Sequence, residues 1–228
     1  MSRMGMAGAA MGRFAYMIQA KGRGDGSAKA RMAGIRAHTG AELDENPQLW
    51  SITLSCLADA VRAHNAEASE DDRWMMPSVS DDDGNAIPTR TETALASALS
   101  IYAAQYGTHT PAPHTHAHRF GDALRASSPS GDKGMERARQ ALFSSTTISM
   151  LTHRLIALVP RMVTGFDYGL LADDLVRFQN GPKGRTAVIA AWSRQYYRMD
   201  TDAASAATDN GTTRGDDSPE TDKENNSR

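Results

Sequence analysis

Thr89–Gly107, TRTETALASALSIYAAQYG, carries a helix's start, face and stop in one stretch. Thr89 and Glu92 stand three apart, the spacing at which a hydroxyl and a carboxylate each accept the other's backbone N–H. Leu95, Leu99, Tyr102 and Tyr106 then recur every three or four residues, which places them on one helical face. Gly107 stops the run.

The same signals repeat outward. Asn46-Pro47 reads as an N-cap with proline in the first turn, leading a stripe of Trp50, Leu54, Leu57 and Val61. Ile148, Leu151, Leu155, Leu158 and Met162 form another stripe, which Pro160 is expected to kink or shorten. Asp167 is expected to cap a helix with Leu171, Leu175 and Phe178 inward, ending at Asn180-Gly181-Pro182. A last helix is expected from about Arg185 to Met199, with Val188, Ala191, Trp192, Tyr196 and Met199 on its inner side. Met1–Ala20 reads as a first helix with a ragged start. Arg13 inside its apolar part argues against a secretion signal. No stretch alternates long enough to demand a strand. The expected fold is all-α: a compact multi-helix bundle with helical halves at 1–118 and 119–199, and an acidic loop at about 68–90. Residues 200–228 hold no large apolar side chain and are expected to be a disordered acidic tail.

Composition narrows the function. Among 228 residues Cys56 stands alone, which excludes a disulfide framework and a cysteine-rich zinc site and suits a cytoplasmic protein. The longest apolar stretches, such as Ala187–Trp192, fall far below the roughly 18 residues that span a bilayer, so no membrane role is expected. A net charge of −2 conceals strong blocks. Residues 1–40 hold seven basic side chains against one acidic, 41–118 three against twelve, 119–199 twelve against six, and 200–228 three against eight. Two basic blocks in an acidic chain suit a face that binds a polyanion.

The arginines and lysines supply candidate contacts. Lys29 and Arg36 lie seven apart on one face, with Met32 and Ile35 turned toward a core. Arg154 and Arg161 repeat that spacing. Arg194 and Arg198 lie one turn apart, away from Trp192, and Arg137 and Arg139 precede Ala141-Leu142-Phe143. Guanidinium forks match phosphate geometry and hold it without reading base sequence. The expected nucleic-acid-binding residues are Lys29, Arg31, Arg36, Arg137, Arg139, Arg194 and Arg198, with Arg119, Arg154 and Arg185 as second choices.

Catalytic signals are weak. His109, His114, His116 and His118 lie among Pro111 and Pro113 with no cysteine or carboxylate nearby in sequence, so they read as a polar loop and not as a metal site. Gly22-Arg23-Gly24-Asp25-Gly26 matches neither the Walker nor the dinucleotide spacing and reads as a linker. Asp173 and Asp174, about 100° apart on a helix, read as surface charge. No catalytic set assembles, and no cofactor is expected.

Ala28–Arg36 (AKARMAGIR), Pro47–Trp50 (PQLW), Ala94–Gln105 (ALASALSIYAAQ), Phe166–Gln179 (FDYGLLADDLVRFQ) and Trp192–Arg198 (WSRQYYR) occur in this order. Together they resemble the CasB family, the small subunit of the type I-E CRISPR surveillance complex Cascade, in its actinobacterial form. Relatives commonly carry two adjacent arginines where this chain has Arg36-Ala37. The resemblance implies a noncatalytic, wholly helical protein of antiviral defence. Two copies would lie head to tail against the backbone subunits that hold the guide crRNA. With the large subunit they would form a basic groove for the crRNA–target DNA duplex and the displaced strand. The alternative is a free-standing helical DNA-binding regulator, whose recognition helix would have to follow the tight Asn180–Arg185 turn. An enzyme built on the histidine loop and a metal is a third reading.

Overall fold

The structure, a computed structural model, describes residues 4–22, 24–39, 43–107, 113–128 and 132–198. The expected tail, His109 and Met199 lie outside the described residues. The fold is all-α, with nine α-helices among the described residues: α1 Met6–Lys21, α2 Gly26–Ala37, α3 Pro47–Asn65, α4 Arg90–Gln105, α5 Phe120–Ala126, α6 Lys133–Phe143, α7 Ile148–Leu158, α8 Tyr168–Phe178 and α9 Gly181–Tyr196.

The local signals form as the sequence dictates. Glu92 N–H donates to Thr89 Oγ1 (3.2 Å) and Thr89 N–H to Glu92 Oε2 (2.6 Å), closing the reciprocal cap. Asn46 accepts from Leu49 N–H at the head of α3, and Asp167 accepts from Gly169 and Leu170 N–H at the head of α8. Beyond Leu158 the chain tightens into a 3₁₀ turn, Val159–Arg161, as proline removes a backbone donor. Gly107 adopts φ 90°, a left-handed conformation that ends the run after Tyr106 at little steric cost.

The centre of the core is α4, whose Leu95, Leu99 and Tyr102 are fully buried while Tyr106 is nearly so. It packs against α1, α2, α3, α7 and α8, and α8 in turn packs against α1 and α9. Aromatic rings join these helices. Tyr102 meets Phe14 of α1 and Tyr168 of α8 edge-on, Phe166 stacks on Tyr168, and Phe120 bridges Phe166 to Trp192 of α9.

Three details differ from the expectation. In α3 the buried set is Leu49, Thr53, Cys56, Leu57 and Ala60, rotated one residue from the expected stripe, and Leu54 is 37% exposed. Thr53 tolerates burial because its hydroxyl donates to Leu49 O (2.8 Å). Trp50 stays half-buried because its indole N–H reaches Glu92 Oε1 (3.2 Å) at the head of α4. The last helix starts at Gly181, four residues early, because proline suits a first turn whose N–H groups have no partner. The acidic segment is a loop with a short antiparallel ribbon, β1 Val79–Ser80 and β2 Ala86–Ile87, turning through Asp81–Gly84.

Candidate nucleic-acid interface

The ten expected contact residues fall into three environments. Lys29 on α2, Arg137 on α6 and Arg194 on α9 are exposed and have no side-chain partner among the described residues. Arg119 and Arg198 are also exposed, Arg119 at the head of α5 and Arg198 just beyond α9.

A second group is engaged within the fold. Arg36 donates to the carbonyls of Ala103 (2.7 Å) and Tyr106 (2.9 Å), covering the C-terminal end of α4, though much of its side chain remains in solvent. A cation there also offsets the negative end of the helix dipole. Arg154 serves the end of α6 in the same way, donating to Ala141 O and to Ser145 Oγ (3.0 Å). Arg185 donates to Thr146 O, and the Arg31 guanidinium lies 5.1 Å from the Phe14 ring centre.

Arg139 stands apart. The sequence reading places it on a polar helix side, yet it is 7% exposed. Its Nε donates to Glu136 Oε2 (2.9 Å) and its Nη2 to Glu136 Oε1. The guanidinium sits over Tyr196, Tyr197 and Phe143, 4.9, 5.2 and 5.4 Å from their ring centres, and so ties α6 to the end of α9. Its hydrogen bonds to Glu136 hold the guanidinium pKa above its ordinary value.

The acidic pair of α8 is not surface charge. Asp173 accepts from Gly5 N–H (2.8 Å) and Gly8 N–H (2.9 Å), capping α1 from another helix where α1 has no side-chain cap of its own. Asp174 accepts from the Trp192 indole (2.8 Å). Burial raises both carboxyl pKa values above the usual aspartate range. Adjacent residues on a helix diverge by about 100°, and here each finds a donor on a different helix.

The histidine segment is tied down by a remote carboxylate. His116 Nδ1 lies 2.6 Å from Asp167 Oδ2, and His114 is buried beside them. Ligand atoms of His114, His116 and Asp167 lie within 4.8 Å of one another, so the sequence view that no carboxylate completes such a set is corrected. The chemistry of the donors favours a structural role. Tyr168 N–H donates to His114 Nδ1 (3.1 Å), which therefore carries a lone pair, and burial holds the His114 pKa below its ordinary value. A neutral ring with an unprotonated Nδ1 has its proton on Nε2, leaving no free nitrogen for a metal. Asp167 Oδ1 is already occupied by the head of α8.

Among the described residues no helix is long and apolar enough to cross a membrane. The profile of the family described as CRISPR-associated protein Cse2 matches residues 31–197. The chain belongs to the Cse2 family. CasB from Thermobifida fusca is similar in fold: TM-score 0.62, 24% identity, 86% of this chain and 99% of that one covered. A Cse2-family CRISPR-associated protein from Thermus thermophilus aligns with TM-score 0.51 at 21% identity, over 83% and 98% of the two chains. A CasB structure, also from Thermus thermophilus, gives TM-score 0.51 at 20% identity, over the same shares. No curated protein sequence matches. Of the ten cations, all but Lys29 and Arg198 fall inside the span that the Cse2 profile matches.

Proposed function

We propose that this Cse2-family chain is the noncatalytic small subunit of a type I-E Cascade complex. In that complex it assembles with the backbone and large subunits and a second copy of itself. Its basic helix faces steady the crRNA–target duplex and the displaced strand. The observation that carries the reading is the set Lys29, Arg137 and Arg194, exposed cations on three helices with no partner among the described residues. Cations committed inside the fold would lose intramolecular bonds to bind phosphate. These three lose only water. Base pairing with the guide supplies sequence reading, so the protein needs only to hold backbone.

Target binding by the assembled complex across a salt series tests this. Each phosphate contact contributes about 0.7 to 0.9 to the log–log salt slope. The triple variant Lys29→Glu, Arg137→Glu, Arg194→Glu is expected to enter the complex, bind matched target more weakly and shorten the slope by about 2. Unchanged slope and affinity would show that these cations are ordinary solvated surface.

A further inference from the structure

The fold buries most of its large rings but leaves Tyr197 60% exposed at the end of α9. This exposure is organised. The Arg139 guanidinium lies over the ring at 5.2 Å, and Tyr196 meets it edge-on at 4.9 Å and 82°. Arg139 is itself buried and held by Glu136, so the group behind the ring is fixed. A solvent-facing tyrosine at a helix end would ordinarily move among rotamers. Here one face rests on a clamped cation and the remainder of the ring faces water. A ligand stacking on that open face therefore loses little side-chain freedom.

The chemistry around it selects the ligand. Arg194 lies one helical turn before Tyr197 and is exposed, without a side-chain partner among the described residues. A planar aromatic face with a guanidinium one turn away on its own helix fits a nucleotide, base on the ring and phosphate on Arg194. Bases in a duplex are stacked on one another and offer only their edges, so the base that reaches the ring is unpaired.

We infer that Tyr197 is a base-stacking site for single-stranded nucleic acid, with Arg139 as the positioning residue that fixes its ring. This rests on the nucleic-acid reading above and narrows it to an unpaired strand at the α6–α9 seam. Arg139 thereby acts through Tyr197 and is not itself a phosphate ligand. Tyr16, exposed on α1, provides the contrast: among the described residues no cation lies over its ring.

The test uses the full-length chain, an oligothymidine with one central 2-aminopurine, and a blunt duplex of matched length. The 2-aminopurine fluorescence falls when it stacks. Wild type, Tyr197→Phe and Tyr16→Leu are expected to quench it equally. Tyr197→Leu is expected to lose the quench and bind the single strand about five- to a hundredfold more weakly. Its salt slope and its duplex affinity stay unchanged, because stacking releases no counterions. Tyr197→Leu that quenches and binds as wild type does overturns the stacking site, as does equal loss in Tyr16→Leu. If the triple charge variant still loses slope in those cases, the phosphate reading stands without the site. Wild type that binds neither strand form overturns the stacking site, while the phosphate reading is decided by the salt slope of the assembled complex.

Discussion

Asp174 lies in the seam between α8 and α9, where its carboxylate takes the Trp192 indole N–H. Burial raises its pKa, opposed by that hydrogen bond and by Arg177 and Arg119. The folded state therefore holds the proton more tightly than the unfolded chain. Its stabilising contribution is full below the ordinary value of about 4, falls as pH rises through the raised folded value, and is constant above it. Asp174→Asn keeps an oxygen for the indole and removes the charge. Urea unfolding of both proteins from pH 4 to 7 is expected to show the variant gaining stability relative to wild type across that window and then levelling. A pH-independent difference would show that burial of the charge is not what sets its stability contribution. Single residues also decide which cations the fold leaves available to a ligand. Arg139 and Arg194 both sit in polar stretches of sequence, yet one is clamped under three rings and the other is exposed, without a side-chain partner among the described residues.

At the scale of elements, α4 depends on its head. Glu92 is 3% exposed, and its two oxygens accept from Thr89 N–H and from the Trp50 indole of α3. Glu92→Ala removes half of the reciprocal cap and leaves the indole donor without its partner. Losses of about 1 kcal/mol for each contribution give about 2 kcal/mol in all. In a chain of this size that lowers the melting temperature by about 4–8 °C. Glu92→Gln keeps the spacing and an acceptor and is expected to lose less. Equal melting temperatures for wild type and Glu92→Ala would mean that water replaces both bonds. The cap was legible because it needs only two residues three apart. The α3 face was not. Leu49, Trp50, Thr53, Leu54, Cys56 and Leu57 offer several adjacent stripes, and the neighbours α1 and α4 choose which one is buried.

For the whole molecule, the described residues up to Tyr197 form one compact unit. From residue 200 the sequence holds charge and small residues, with no large apolar side chain to anchor it. Removing residues 200–228 is expected to leave the melting temperature unchanged, since no apolar surface would be uncovered. A fall of several degrees in a thermal scan would show that the segment packs. Local sequence suffices for the helical class, the caps at Thr89, Asn46 and Asp167, most core stripes, and the Cse2-type order of motifs. These depend on residues within a turn or two of each other, where spacing fixes geometry. Which polar groups face inward depends on packing between distant helices. Asp173 caps α1 and Asp167 reaches His116 across long stretches of chain. Arg139 joins Tyr197, and Arg36 closes α4. A charged side chain finds its partner through packing between helices, and no local spacing encodes a donor or acceptor supplied by a distant element.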